Sequence, residues 1–416
     1  MTKMTKVVIP VFLFGFLGLF IFSCSNGSGG GSGDDSYYAP ATPSSSTGNS
    51  SNNGDNGEKN EDTGDDTEEI PTNYMDSPYI LKAGTDGSAG TEATYVLFGE
   101  WPQTVKAQDV KITELIDPDK HLYLGSDGCR YFKMQANPYV IKNGNGNILL
   151  SFDFDDGSKI ENGVEYYFKV EPIKWKVATR NYNGTGNALL LSEKILVAGI
   201  PYNPTFRYGW VEDHSDSNYY FLRSSDKDKS IYPPNYEYSF IRAVLNGLSY
   251  ISHYGNQVLD SYKVGSYEIK FKGNGFLQNA FSSEGQNLIE TTYVYNTSDS
   301  MRQSPTDKVA DGEEKGTIDL RCNNTNDKIF LLSVSECIFF LGSKKPYRYY
   351  SSDLARASNL CPYSKNYKGE TIDIYLRTPE KAKTNTKGFN VSYVSGSSHV
   401  GCISSGICPA LTIKLD

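Results

Sequence analysis

The chain has 416 residues, and its 40 Lys and Arg against 49 Asp and Glu give a formal charge of −9. Residues 25–75 alone carry ten acidic side chains and one basic one. Lys3 and Lys6 contribute +2, so residues 76–416 carry a net charge of only −2. A nearly neutral body without a Lys/Arg cluster excludes nucleic acid as an electrostatic partner, and about 340 residues are enough to bury a large core.

The chain begins with the pattern of an export signal. Lys3 and Lys6 precede an apolar run over residues 7–22, and Ser23-Cys24 follows at once. Sixteen helical residues span about 24 Å, which is short of the roughly 30 Å core of a bilayer. We predict a signal peptide over residues 1–23. The alternatives are an uncleaved membrane anchor and plain secretion.

The segment Ile21-Phe-Ser-Cys24 resembles the lipobox of bacterial lipoproteins. Phe22 stands where a small residue is usual, which is the relaxed form that spirochaetes tolerate. The resemblance implies that Cys24 is diacylated and that the signal is cut off before it. Two acyl chains give stable membrane attachment where one is marginal. We expect a lipid-anchored protein of the cell envelope, on the outer membrane surface.

Residues 24–75 form the predicted anchor and tether. After Cys24 the chain is rich in Gly and Ser, then in Ser, Thr, Asn and Pro, and ends in an acidic run. Such a composition buries too little apolar surface to offset the entropy of ordering, so we predict disorder. Like charges extend the segment further. The folded body is expected over residues 76–416.

Strand patterns dominate the first half of the body. A strand is predicted from Tyr95, stopped by a turn at Trp101-Pro102. Residues 139–154 predict a hairpin around the Asn-Gly turn at 143–147, and residues 164–178 and 189–191 predict paired central strands. Asp153-Phe-Asp-Asp-Gly157 is one residue too short for a calcium loop and lacks its final Glu, so we predict a hairpin turn.

Short helices are predicted in the second half. Apolar side chains share one helical face over residues 239–248, and a second helix is predicted over residues 276–289, with Ser283 and Gln286 as a capping box. Residues 327–332 predict a buried strand. Capping residues Ser333 with Glu336, and Ser352, begin two further helices. Closing strands are predicted at 373–377, 389–395 and 410–415. The predicted fold class is α+β, mainly antiparallel strands with a few short helices.

Several motifs in this order resemble an uncharacterised domain family of bacterial surface proteins, notably treponemal lipoproteins. The resemblance covers residues 95–416 and implies no established activity. The motifs are Phe98-Gly-Glu-Trp-Pro-Gln103, Glu171-Pro-Ile-Lys-Trp-Lys-Val177, Leu189-Leu-Leu-Ser-Glu193, Tyr238-Ser-Phe-Ile-Arg-Ala-Val-Leu-Asn-Gly247, Phe276-Leu-Gln-Asn-Ala-Phe281, residues 327–336, Tyr375-Leu-Arg-Thr-Pro379 and Gly406-Ile-Cys-Pro-Ala-Leu411.

The last two motifs are also similar to those of C-type-lectin-like domains of the formylglycine-generating-enzyme type. That resemblance implies a C-type-lectin-like scaffold that displays variable side chains from its terminal segment. Tyr375 stands where Trp is usual, and Cys408 stands where a residue without a thiol is usual. The Glu-Pro-Asn and Gln-Pro-Asp triplets of calcium-dependent sugar binding are absent from the sequence.

Motifs for catalysis and metal binding are missing from the sequence. It contains no Gly-x-Ser-x-Gly, His-Glu-x-x-His or Cys-x-x-Cys, and its four histidines are isolated. Gly184-Thr-Gly186 and Gly273-Asn-Gly275 do not have the combination of Lys and following helix that makes a phosphate loop, so we predict turns. We therefore predict no catalytic residue, no metal and no cofactor.

Candidate ligand-binding residues lie near the C-terminus, where Tyr, Ser, Asn and Gly accumulate as they do in adaptable recognition surfaces. The same residue types are also ordinary in loops. Residues 347–350, Tyr-Arg-Tyr-Tyr, form a second candidate patch, with core packing as the alternative. The candidate ligand-binding residues are Arg377, Asn390, Tyr393, Ser395 and His399.

Six cysteines follow Cys24, an even number that an exported protein can oxidise. Cys402 and Cys408 flank a Gly/Ser loop and form the predicted disulfide. Buried free thiols are an equally good interpretation, because a core of this size needs no covalent staple.

These observations predict a lipid-anchored exported protein whose body is a binding or adhesion module. Its partners are expected to be the membrane, through the acyl chains, and a host protein or glycan. The alternatives are a structural envelope lipoprotein without an external ligand and a cryptic hydrolase.

Overall fold

The computed structural model of the protein describes residues 73–81, 95–203, 236–251, 258–264, 267–296, 324–341, 350–361, 374–379, 390–393, 396–399, 403 and 405–415. All of them belong to one compact unit, Glu69–Asp416. The predicted signal peptide, Cys24 and residues 25–72 of the tether lie outside the described residues.

The strands in chain order are β1 (Tyr79–Leu81), β2 (Tyr95–Val105), β3 (Ile112–Asp117), β4 (Leu122–Gly125), β5 (Arg130–Gln135), β6 (Ile141–Lys142), β7 (Ile148–Leu150), β8 (Glu165–Thr179), β9 (Ala188–Ser192), β10 (Lys194–Ile195), β11 (Tyr250–Ile251), β12 (Val258–Leu259), β13 (Ser261–Val264), β14 (Tyr267–Lys270), β15 (Thr292–Val294), β16 (Thr325–Asp327), β17 (Tyr350–Ser351), β18 (Tyr375–Pro379), β19 (Asn390–Tyr393), β20 (Gly396–His399) and β21 (Ala410–Ile413).

The helices in the described ranges are short. They are α1 (Phe240–Asn246), α2 (Phe276–Ala280), α3 (Ser283–Leu288), α4 (Val334–Leu341) and α5 (Asp353–Ala357).

The long strand β8 organises the main sheet. Along one edge it pairs with β2; along the other its first half pairs with β5 and its second half with β9. The sheet continues outward through β1 beside β2, through β4 and β3 beside β5, and through β21 beside β9. Every pairing in this sheet is antiparallel. The predicted α+β class with mainly antiparallel strands is confirmed.

Strand β2 does not stop at Trp101-Pro102, contrary to the prediction, but runs on to Val105. Its register against β8 shifts between Leu97 and Glu100, opposite Pro172. Proline has no N–H to give to a sheet ladder, so the partner strand bulges there. The side chain of Gln103 donates to the carbonyl oxygen of Pro172 over 3.0 Å, which satisfies the acceptor of that residue.

Gly99 makes the bulge possible. Its φ is +72°, and a Cβ there would lie 2.5 Å from the ring of Phe281 and 2.9 Å from the carbonyl oxygen of Ala280. Its N–H donates to the carbonyl oxygen of Tyr74 over 2.6 Å. Glycine is the residue that adopts this conformation without strain and leaves room for the ring.

The predicted helix over residues 276–289 is two helices. Phe281 has extended backbone angles and ends α2, and Ser282, one residue before the predicted cap, begins α3. The Ser282 hydroxyl accepts from Gly285 N–H over 3.1 Å. Gln286 does not close a capping box but donates to the carbonyl oxygen of Phe281. The sequence pattern therefore predicts the cap at Ser283, one residue after the serine that caps α3.

Other local predictions are confirmed. The hairpin β6–β7, the pairing of β8 with β9, helix α1 and the caps of α4 and α5 lie where the sequence places them. The predicted buried strand over residues 327–332 is shorter, because β16 ends at Asp327. Residues 328–332 continue without a ladder, apart from a bridge between Phe330 and Ala410.

The folded body starts before residue 76. Tyr74 and Met75, which the sequence assigned to the tether, are hydrogen-bonded to Gly99 and Ser282 respectively. Strand β1 then pairs with the start of β2. The last residues of the predicted tether are therefore part of the fold.

Arg377 and Glu336 form a buried ion pair that joins β18 to α4. The guanidinium donates to the two carboxylate oxygens over 2.5 and 2.7 Å and to the carbonyl oxygen of Leu331 over 2.7 Å. The Tyr182 hydroxyl donates to the same carboxylate over 2.6 Å. Arg377 has 0% exposure. Three separate stretches of the chain converge on one buried carboxylate.

The charge state of this cluster is fixed by its neighbours. Burial works against ionisation of Glu336, but the Arg377 charge and the hydrogen bonds from Arg377, Tyr182 and Ser333 outweigh it and lower the carboxyl pKa. Burial and the nearby Glu336 carboxylate raise the pKa of the Tyr182 hydroxyl. The pair is therefore ionised in the folded state over the whole neutral range.

Across the described ranges, none of the helices is long and apolar enough to cross a bilayer.

Gly99→Ala tests the bulge. We expect a loss of about 2–4 kcal/mol in the free energy of unfolding, because the methyl group meets Phe281 and the positive φ is strained. Gly128→Ala is the matched control: its φ is +76° but nothing lies within 4 Å of the added Cβ, so about 1 kcal/mol is expected. Urea denaturation measures both. Equal losses would contradict a packing role for Gly99.

Glu336→Gln tests the buried pair. We expect a loss of about 3–5 kcal/mol at neutral pH, because the charge of Arg377 stays buried without its partner. The folded-state carboxyl pKa is lowered, so the stabilisation is present above the unfolded pKa of about 4.3 and disappears as the pH falls through the folded value. The difference between wild type and variant should therefore shrink in acid.

The control for that variant is Lys272→Met, which removes the exposed pair with Asp260, whose side chains are about half exposed. An exposed pair contributes about 0–1 kcal/mol. A pH-independent difference between wild type and Glu336→Gln would refute the ionised pair.

Candidate functional site

A cavity of about 300 Å³ lies beside the β2 bulge and is the candidate site. Its walls come from the main sheet, from the segment after β10, from the helices α1, α2 and α5, and from residue 407 before β21. The described residues that supply its apolar walls include Trp101, Phe132, Leu196, Ala198, Ile200, Val244, Leu245, Phe271, Phe276, Leu354 and Ile407. A pocket of this size and lining is typical of small-molecule sites.

Two aromatic rings form one wall. The ring centroids of Trp101 and Phe276 lie 4.7 Å apart with planes tilted by 47°. The indole N–H of Trp101 donates to the carbonyl oxygen of Leu196 over 3.0 Å. Its one polar atom is therefore used by the protein, and this hydrogen bond fixes the ring at the cavity.

Helix α2 brings Phe276 into place by a close approach to α1. A Cβ on Gly275 would lie 2.4 Å from the carbonyl oxygen of Val244, so a glycine is needed where the two helices meet. The Gln278 side chain accepts from Gly275 N–H over 2.9 Å and donates to the carbonyl oxygen of Asn246 over 3.2 Å. The predicted turn at residues 273–275 is thus followed directly by α2, where the helix predicted over residues 276–289 begins.

An ion pair reaches the cavity from the main sheet. The Arg130 guanidinium donates to the carboxylate of Glu100, whose side chain is only 11% exposed. Burial lowers the pKa of Arg130. The remaining charged residues of the lining, Asp119, Lys120, Glu268 and Lys270, are exposed. They mark the solvent side of the cavity.

The other polar lining groups with described bonds are held by the protein itself. The Asn279 amide donates to the carbonyl oxygens of Asn274 and Gly275 over 2.8 and 2.9 Å. The Gln135 amide donates to the carbonyl oxygen of Gly163 over 2.8 Å. The Ser358 hydroxyl donates to the carbonyl oxygen of Leu354 over 2.7 Å. The cavity therefore offers few uncommitted donors.

Arg377 does not lie on a ligand-binding surface. It is completely buried, and Glu336, Leu331 and Tyr295 accept its hydrogen bonds. The sequence pattern pointed to the wrong role because an arginine beside a loop is usually solvated, whereas this one has a buried carboxylate 41 residues earlier in the chain.

The other predicted binding residues are grouped on a hairpin. Strands β19 and β20 pair Asn390 with His399 and Tyr393 with Gly396. Ser395 lies outside the described residues. The structure brings Asn390, Tyr393 and His399 onto one hairpin, and their role in binding stays a prediction.

The remaining predictions concern cysteines, aromatics and metals. Cys408 is buried, and burial raises the pKa of its thiol. Its predicted partner Cys402 lies outside the described residues, so their disulfide stays a prediction, as does lipidation of Cys24. In the second candidate patch Tyr350 is 55% exposed. Among the described residues, no group of three or more His, Cys, Asp or Glu is placed to hold a metal ion.

Sequence reasoning missed the cavity. Glu100, Trp101 and Phe276 belong to motifs that carried the family resemblance, yet nothing in the sequence joined them to Arg130 or to one another. The usable signal was the proline in a predicted central strand, because Pro172 predicts a bulge in whichever strand pairs with it.

The model of the domain family described as a domain of unknown function, DUF6273, matches residues 185–415. This is more than half of the chain, and the protein therefore belongs to the DUF6273 family. Neither a curated protein nor a solved structure matches the chain.

Proposed function

We propose that this member of the DUF6273 family is an exported, lipid-anchored protein whose body is a binding module, with the cavity beside the β2 bulge as its binding site. The observation that carries the proposal is that cavity: about 300 Å³, apolar walls, two aromatic rings and an ion pair at one side. Such pockets are the usual sites for small ligands.

The chemistry of the lining favours binding over hydrolysis. Ser358 is the hydroxyl residue among the described lining residues, and its hydroxyl donates to a main-chain carbonyl oxygen. A serine nucleophile needs a base as its hydrogen-bond partner. The Glu100 carboxylate accepts from Arg130 and has no described hydrogen bond to a hydroxyl that it could activate. The hydrolase alternative has no such support.

The anchor and tether complete the proposal. Acylated Cys24 would hold the protein at the outer membrane surface of a spirochaete-like envelope, and residues 25–72 would keep the body away from the lipid. The C-type-lectin-like character of the C-terminal motifs belongs to the same proposal. Under it, the hairpin β19–β20 would be a second surface, for a host protein or a glycan.

Replacing Cys24 tests the anchor. Cys24→Ala should move the protein from the detergent phase to the aqueous phase, because no thiol remains for acylation. Cys129→Ala, which changes a free cysteine of the body, is the matched control and should stay in the detergent phase. Detergent partitioning of Cys24→Ala equal to that of the wild type would refute lipidation.

Ligand-detected NMR tests the binding site. Saturation-transfer spectra of the full chain are recorded with a mixture of pyranose sugars, short peptides and neutral ring compounds. We expect signals from at least one class, and their loss in Ala198→Leu, which fills the cavity. The thermal midpoint of the variant shows whether it is folded. If no class of compound gives a signal, or if the signals persist in the folded variant, the cavity is not the binding site.

A further inference from the structure

Building on the proposed binding function, we infer that the cavity takes a neutral, ring-bearing, largely apolar small molecule. Charge, wall chemistry and the commitments of the polar lining groups each support this class of ligand.

The charges of the lining cancel. Among the described lining residues, the carboxylates are Glu100, Asp119 and Glu268, and the cations are Lys120, Arg130 and Lys270. Of these six, Glu100 and Arg130 are partly buried and paired with each other, and the other four are exposed at the solvent side. A charged group placed against the apolar walls would lose its water beside an ion pair that is already formed, which is costly. A neutral ligand avoids that cost.

The walls favour a ring. Trp101 and Phe276 contact each other at the cavity, and Phe132 and Phe271 also line it. Aromatic side chains gain from tilted or offset contact with another ring beyond the area that is buried. The segment over residues 196–200 adds the aliphatic side chains of Leu196, Ala198 and Ile200 to the lining.

The polar groups argue against a polyhydroxylated ring. The Trp101 N–H, the Asn279 and Gln135 amides and the Ser358 hydroxyl already donate to main-chain carbonyl oxygens. A sugar held against these four groups would exchange water for donors that are already used, and a buried hydroxyl group without a partner is costly. The ligand is therefore mostly apolar.

Two dyes with the same skeleton test the inference on the full chain. N-phenyl-1-naphthylamine is neutral, and 8-anilino-1-naphthalenesulfonate adds one negative charge. The neutral dye should bind with a blue-shifted emission and quench tryptophan fluorescence, since Trp101 lines the cavity. The sulfonate should bind about tenfold more weakly or worse, because its charge would lose water beside an ion pair that is already formed.

Ala198→Leu should weaken binding of the neutral dye by about tenfold or more, since the larger side chain occupies space that a ring of the dye needs. Ala188→Ser, at a buried alanine outside the described lining, is the control for general damage to the core. Dye binding that is unchanged in Ala198→Leu would place the dye elsewhere and overturn the inference.

The outcomes separate the inference from the proposed function. Stronger binding of the sulfonate than of the neutral dye, or displacement of the neutral dye by an equal concentration of methyl glucopyranoside, would refute the ligand class. Either result would leave the cavity as a binding site. Absence of binding by both dyes together with silence in the NMR screen would refute both.

Discussion

A proline in the central strand governs the arrangement of this body. Pro172 lies in β8 opposite Glu100 of β2, and it has no N–H to give to a ladder. Strand β2 contains a bulge at this point, and the bulge requires Gly99. The bulge sets the direction of the residues after it, Glu100 and Trp101. Both then line the cavity. The residues that follow the bulge opposite Pro172 thus form part of the cavity wall.

The fold follows from sequence wherever the determining contacts are local. The hairpin β6–β7 has its Asn-Gly turn, and α4 and α5 have their capping serines within three residues of the groups they bind. The bulge in β2 and the division between α2 and α3 were missed. Both depend on partners far along the chain: Pro172 for the bulge, and Met75 packed at Ser282 for the division.

The same dependence on partners far along the chain explains why the sequence did not predict the candidate site. Arg377 was predicted to face a ligand because polar residues cluster around it, yet its role is set by Glu336 and Tyr182, which no spacing rule connects to it. The cavity likewise joins Glu100 with Arg130 and Trp101 with Phe276, across separations of 30 and 175 residues. Residue types at a site can be guessed from sequence, but convergence of distant residues is a property of the tertiary structure.

Tyr74 and Met75 would have a mechanical role in a chain held at its N-terminal end. Among the described residues, the Tyr74 carbonyl oxygen accepts from Gly99 N–H within the bulge, and Met75 lines the cavity. In a chain anchored at Cys24, as proposed, any drag on the body would pass through these residues before it reached β1. The stretch that would bear the load is therefore also part of the cavity wall.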